Sequence, residues 1–340
     1  MDKILIANLL LTRRCNLSCF YCRISGDINY YFKPPEYPDK TYYFKNEKDT
    51  EFWIKLIQWL YNHNPNIFII LYGGEPFLRK DLVEIVRFCN QIGVAYTIIS
   101  SCNKGIVKKI YEFFDDLNEQ VLGFTASIDP GFYKNLDDQK GIDDHMHKSC
   151  YGYFMLKNLF NRNLIKDPVA EITASGDNIK YLVETIEMIS CENITSDITT
   201  IDIAKNNYYD FSTITDEKLL VHPTEEVKKI FENLKNSNLK IHMKNWLLDQ
   251  IFNNLPANLN CNIEDNFHNI CVDSDGSIRL CLRIKGTETR KLEIEEILIK
   301  NNDFDLIKKC IKQDKKNYCK GCIHSCYLMS QGESKGIISH

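Results

Sequence analysis

No stretch of the 340-residue chain approaches the roughly 20 consecutive apolar residues that cross a bilayer, so a membrane-spanning role is not expected. A basic excess is also missing. The 42 lysines and arginines stand against 46 aspartates and glutamates, a formal charge of -4, which argues against the positive face that nucleic-acid binding uses. Short charged runs such as "KQDKK" read as solvated surface. The N-terminal "MDKILIANLLLTRRC" is apolar only briefly and has no small-residue cleavage site before the polar "TRRC". It reads as a buried strand rather than an export signal. What the chain has in quantity is cysteine: fourteen, without an export signal, which implies a reducing, cytoplasmic setting where grouped thiols bind metal more often than they pair.

The length exceeds that of a usual single core, so one large domain with an appendage, or two domains, are the expected layouts. Apolar β-rich runs alternate with amphipathic ones. Strands are expected at "ILIANLLLT", "NIFIILYGG", "VAYTIIS", "VLGFTASID", "PVAEITAS" and "SDITTIDIA". Helices are expected at "RKDLVEIVRFCNQIG", "IVKKIYEFFDDL", "GYFMLKNLFNRN" and "NIKYLVETIEMIS". Such alternation predicts βα units and a parallel sheet that binds ligands at the strands' carboxyl ends. Periodicity leaves an open sheet and a partial barrel equally possible. The connection from Arg23 to Asp49 is long and tyrosine-rich and reads as an ordered lid. After about residue 206 the alternation fades, and helices such as "TEEVKKIFENLKN" lead to a second cysteine-dense region from Cys261.

The first cysteine group, "CNLSCFYC", spaces Cys15, Cys19 and Cys22 as C-x3-C-x2-C. Structural zinc sites usually combine C-x2-C with a second such pair nearby, and here the next cysteine is Cys89. Iron–sulfur clusters are held by short runs of this general kind. Three thiolates would leave one iron without a protein ligand.

At these residues the chain resembles the radical SAM superfamily, whose signature C-x3-C-x-aromatic-C is met by Cys15, Cys19, Tyr21 and Cys22. The resemblance implies a partial (β/α)6 TIM-like barrel of parallel strands and a [4Fe-4S] cluster whose open iron chelates S-adenosyl-L-methionine. Reductive cleavage then yields a 5′-deoxyadenosyl radical that takes hydrogen from a substrate. Further motifs fall where the strand reading requires them. "YGGEP" resembles the family's GGE motif and implies Gly73, Gly74 and Glu75 as cofactor-binding. "ASIDPG" resembles its S-x-D element and implies Ser127 and Asp129. "SSCNKG" is a weaker echo of T-N-G, with Cys102 in place of threonine, and carries over only Asn103. Many members place an arginine about twenty residues after the serine; here the nearest candidate is Lys148 in "DDHMHKSC".

The last quarter holds Cys261, Cys271, Cys281, Cys310, Cys319, Cys322 and Cys326. "ICVDSDGSIRLC" has strand-like flanks around a turn and reads as a hairpin. With "CKGCIHSC" it resembles the SPASM/Twitch extension of radical SAM enzymes, which binds auxiliary iron–sulfur clusters. The chain departs from the full two-cluster pattern, because Cys326 follows Cys322 too closely and no cysteine comes after it. The expectation is one auxiliary [4Fe-4S] cluster on Cys261, Cys281, Cys319 and Cys322, with Cys326 as substitute ligand; a closed zinc site on the same cysteines is the rival. Cys271 and Cys310 read as structural. The implied domains are a core over 1–205, a helical bridge over 206–260 and the auxiliary-cluster domain over 261–340.

The resemblance implies oxidation, cross-linking or epimerisation of a ribosomally made peptide or protein side chain. The alternative is a Twitch-type dehydrogenase or epimerase of a small polar metabolite such as an aminocyclitol. Sulfatase-maturing relatives place an acidic base directly after the hairpin cysteine, where this chain has Leu282, which lowers the formylglycine reading. The implied partners are an electron donor such as flavodoxin or ferredoxin and, because the first strand begins at residue 4, either a separate leader-peptide-binding protein or, in its place, a small substrate that needs none.

Overall fold

The computed structural model of the protein describes residues 4–17, 45–135, 144–200, 221, 222, 224–242, 269–279, 292–301 and 303–318. Within them the six expected strands form: β1 (Ile6–Thr12), β2 (Phe68–Gly73), β3 (Ala95–Ser100), β4 (Val121–Ile128), β5 (Ile165–Ala174) and β6 (Thr195–Thr200). They lie side by side in chain order, all parallel. The fold is α/β, with the parallel sheet of the expected partial barrel. Chain order and helical crossovers follow from the connections, since parallel neighbours need a return path that a helix supplies.

Alternation along the strands decides which side faces what. Leu9, Leu11, Ile69, Leu71, Ile98, Phe124, Ala126, Ile172 and Ala174 are fully buried. They join Trp53, Leu56, Ile85, Ile110, Leu156 and Ile186 from the helices in one core. The opposite, inner face carries Thr97, Thr125, Ser127, Glu171, Thr173 and Asp197, set in register across neighbouring strands. A core on one side and polar groups on the other is what a partial barrel with an interior binding site requires.

The crossovers are α2 (Leu82–Ile92), α3 (Val107–Leu117), α4 (Asp144–Asn161) and α5 (Leu182–Cys191). Helix α1 (Thr50–His63) joins β1 to β2 and was not foreseen as an element of its own, because the tyrosine-rich lid was read as running up to Asp49. Its signal was present. Asp49 accepts the Phe52 N–H as N-cap, and Phe52, Trp53, Leu56, Ile57 and Leu60 repeat on one buried face. Of the lid itself, residues 23–44 lie outside the described residues.

Beyond α6 (Glu225–Asn236) the expected hairpin forms from β7 (Asn269–Val272) and β8 (Ile278–Arg279), turning at Gly276 with φ 82°. It does not stand apart. Strand β7 pairs parallel to β1, with Ile6 beside Asn269 and Asn8 beside Cys271, so the sheet order is β6-β5-β4-β3-β2-β1-β7-β8. Cys271 is buried in this pairing. Helix α7 (Phe304–Tyr318) includes Cys310, half-buried against the core as the pattern suggested. No helix among the described residues is long and apolar enough to cross a membrane.

Candidate functional site

The residues singled out by their motifs gather at the carboxyl ends of four adjacent strands. Cys15 follows β1, Gly73 to Glu75 end β2, Asn103 follows β3, and Ser127 and Asp129 end β4. This is the end at which parallel α/β sheets bind ligands.

The cysteine segment leaves β1 through a register shift: Leu10 pairs with Tyr72, but Thr12 with Gly73, so Leu11 is an extra residue. Such a bulge bends a strand and re-aims the residues beyond it. The segment is then held on both sides. On one, the Gly74 N–H donates to the Thr12 carbonyl and the Glu75 N–H to the Arg14 carbonyl, both at 2.7 Å. A Cβ on Gly73 would lie 2.4 Å from the Thr12 oxygen, and one on Gly74 2.3 Å from the Arg14 oxygen. Close approach of chain to chain thus requires glycine at both positions. On the other side the Arg13 guanidinium reaches Asp273 of the hairpin through two hydrogen bonds, Nε to Oδ1 at 2.9 Å and a second nitrogen to Oδ2 at 2.6 Å. Both side chains are buried. Glu47 adds an ion pair to Arg14 at 2.9 Å and accepts the Thr12 hydroxyl.

Cys15 itself is half-buried, and its sulfur accepts the Leu17 N–H at 3.4 Å. The neighbouring Asn16 exchanges amide hydrogen bonds with Asn103, at 2.7 and 3.1 Å. Asn103 also donates to the Ser101 hydroxyl at 2.7 Å. The next link is Glu75: Ser101 gives its N–H and hydroxyl to one carboxylate oxygen at 3.0 and 2.7 Å, while Ser100 and the Phe77 N–H reach the other at 2.9 and 3.3 Å. A polar chain therefore runs from Glu75 through Ser101 and Asn103 to Asn16, tying the loops after β2 and β3 to the cysteine segment. Cys102, between these groups, has φ 49°, an uncommon left-handed conformation outside glycine. It is held there by its N–H on the Ser100 hydroxyl at 3.0 Å.

Glu75 is fully buried, and burial pushes its carboxyl above the usual range against the pull of its four donors. Its side chain is occupied in the turn. Glu75→Gln keeps the shape but gives one side of the group donors to meet donors, at about 1–3 kcal/mol for each polar group left unsatisfied. Urea unfolding should register a loss of that size; an unchanged midpoint would show the four bonds to be dispensable.

Asp129 is buried, and its N–H donates to Ser149 of α4 at 2.8 Å. Ser127 is half-buried, with its carbonyl close to Gly152 of the same helix. Lys148 lies in α4 next to Ser149 in sequence, and its side chain falls outside what is described. So do Cys19, Tyr21, Cys22, Cys261, Cys281, Cys319, Cys322 and Cys326. Among the described residues no three of His, Cys, Asp or Glu form a metal cage. Arg13, Asn16, Ser100, Ser101 and Asp273 were not foreseen. For Asn16 the adjacency to Cys15 was the available signal; for Arg13 and Asp273, 260 residues apart, the sequence offered none.

Residues 9–136 match the family described as the radical SAM superfamily. A probable GTP 3′,8-cyclase of Saccharolobus islandicus is 33% identical over 101 residues, 30% of this chain and 27% of that one. Fe-coproporphyrin III synthase of Methanosarcina barkeri is 30% identical over 132 residues, 39% of this chain and 29% of that one. In both cases the chain spans under a third of the relative's length. Among solved structures, Streptococcus suis SuiB bound to precursor peptide SuiA aligns with a TM-score of 0.58 at 12% identity, over 96% of this chain and 76% of that one. Native anSMEcpe with bound AdoMet aligns at 0.52 and 16%, over 93% and 89%. At such identities the likeness is one of fold.

Proposed function

Because residues 9–136 match the radical SAM superfamily, we propose that the chain belongs to it, cleaves S-adenosylmethionine reductively and takes a hydrogen atom from a bound substrate. The observation that carries this reading is the gathering of Cys15, Gly73 to Glu75, Asn103, Ser127 and Asp129 at adjacent strand ends. The described residues fit the implied group: a half-buried thiol that already accepts an N–H stands at the mouth of a polar inner face. Cys15, Cys19 and Cys22 would hold the [4Fe-4S] cluster, and Tyr21, Gly73, Gly74, Glu75, Asn103, Ser127, Asp129 and Lys148 would line the S-adenosylmethionine site. When bound, the pair supplies the 5′-deoxyadenosyl radical. This chain's part is to hold and shield. The Glu75-to-Asn16 hydrogen-bond chain fixes the cysteine segment, and the strand-end backbone lets a ligand approach.

The proposed target is a peptide or protein side chain, supported by the fold shared with SuiB, which was solved with its precursor peptide. The C-terminal region would be of SPASM/Twitch type, with one auxiliary cluster on Cys261, Cys281, Cys319 and Cys322, or Cys326. The domain limits are then 1–205, 206–260 and 261–340. A flavodoxin- or ferredoxin-like donor and a leader-binding protein would be partners. The relatives named as GTP cyclase and coproporphyrin synthase favour the second reading, a small polar substrate.

Anaerobic reconstitution with S-adenosylmethionine and dithionite should yield 5′-deoxyadenosine, and none should form when Cys15, Cys19 and Cys22 are all alanine. That triple variant should still carry iron on the C-terminal cysteines. No cleavage by a protein with a reducible cluster would refute the first claim, and an iron-free, folded triple variant would refute the second.

A further inference from the structure

The inner face carries a polar row that extends beyond Ser127 to residues the proposed function leaves unused. Parallel register sets Ser127 beside Glu171 and Glu171 beside Asp197. At the margin of the sheet, Ser196 bridges to Ile241, so the residues next in sequence, Asp197 and His242, are neighbours too. Asp197 points inward, since Ser196 and Ile198 on either side of it are buried toward the helices.

Its Oδ1 has no hydrogen-bond partner among the described residues and negligible contact with solvent. Burial raises the carboxyl above its usual range; the His242 charge and the Ile198 N–H pull the other way without closing that oxygen. A dry carboxylate oxygen without a donor is costly until a partner arrives. The chain offers little from the sheet itself. The six strands β1 to β6 contain one lysine, Lys166, exposed near the amino end of β5, and no arginine.

We propose that Asp197, with Glu171 beside it, forms a subsite that takes a cationic group of the substrate, a primary ammonium or a guanidinium. The inference rests on the proposed function for placing substrate on this face. Two strand spacings, about 10 Å, separate Asp197 from Ser127. A cation held at Asp197 therefore leaves the rest of a lysine-sized molecule near the proposed cofactor contacts.

The test uses the full chain without cluster or S-adenosylmethionine, so it is independent of radical chemistry. Titration calorimetry and saturation-transfer NMR would compare N-acetyl-lysine amide and n-butylammonium with the neutral N-acetyl-norleucine amide. At least one cation should bind near about 1 mM and the neutral probe should not. Preference for the lysine amide assigns the cation to a peptide side chain, and equal binding assigns it to a free amine. Asp197→Asn should weaken cation binding about tenfold, and Glu171→Gln less; if the first fails to fold, the second carries the test. Equal binding of the neutral probe, no cation binding, or unaltered selectivity in a folded variant would overturn the subsite. Failure to form 5′-deoxyadenosine would overturn the functional reading while leaving this result standing.

Discussion

Asp273→Ala is expected to lower the stability of the protein by about 3–5 kcal/mol, because it removes the carboxylate that pairs with the buried Arg13 guanidinium and accepts the Ser274 N–H. The loss should not come from the pair's attraction as such. Replacing both members with apolar residues, Arg13→Met with Asp273→Leu, removes the charge and its desolvation penalty together and should recover most of the stability. Urea denaturation of the three proteins separates the cases. A single variant within about 1 kcal/mol of wild type would mean that water or another group already serves Arg13. The single variant should also hold less of the cluster proposed for Cys15, Cys19 and Cys22, since Arg13 stands two residues before Cys15 and its neighbours' carbonyls are fixed by Gly74 and Glu75.

Gly74→Ala should be the most damaging small substitution in the β2 turn. The new methyl group would sit 2.3 Å from the Arg14 oxygen and 2.6 Å from its carbonyl carbon, and backbone cannot rotate aside as a side chain can. Either the β2 turn or the cysteine segment must move, at a cost of about 3 kcal/mol or more. The expected result is a folded core with little N-terminal cluster, seen as iron and sulfide content and as loss of charge-transfer absorption. Gly93→Ala is the control. Gly93 has φ 72° but open space around its Cβ position, so alanine costs only about 1 kcal/mol of backbone strain and should leave cluster content unchanged. If both variants assemble equally, the close approach at Gly74 is not what positions Cys15.

The strand-end motifs were legible because each lies directly after an apolar β-rich run, and parallel α/β topology sends such ends to one side. Their roles were less so. "GGE" reads as a ligand turn, and the structure adds a second demand on the same residues: Gly73 and Gly74 pack against the Thr12 and Arg14 backbone, and Ser100, Ser101 and Phe77 hold the Glu75 carboxylate. No local pattern announces that second demand. Helix α1 escaped because its first residues were absorbed into a tyrosine-rich connection, although its cap and buried face follow ordinary rules. The hairpin was read from "VDSDGS", but its place beside β1 depends on contacts across some 260 residues. Asp197 looked like one polar residue in an alternating strand, and only the missing partner at Oδ1 sets it apart.

Strand β7 has a consequence for the order in which the molecule is made. β1 is synthesised long before β7, yet among the described residues the side of it away from β2 is paired by residues 269–272. Until the ribosome has delivered the hairpin, β1 is an outer edge with open backbone groups, the kind of surface that recruits foreign strands. Asp273 arrives with the same segment, so the cysteine loop is fully clamped only late in translation. Premature termination before residue 269 should therefore give an aggregation-prone chain, and maturation of the first cysteine group should follow synthesis of the region that carries the second.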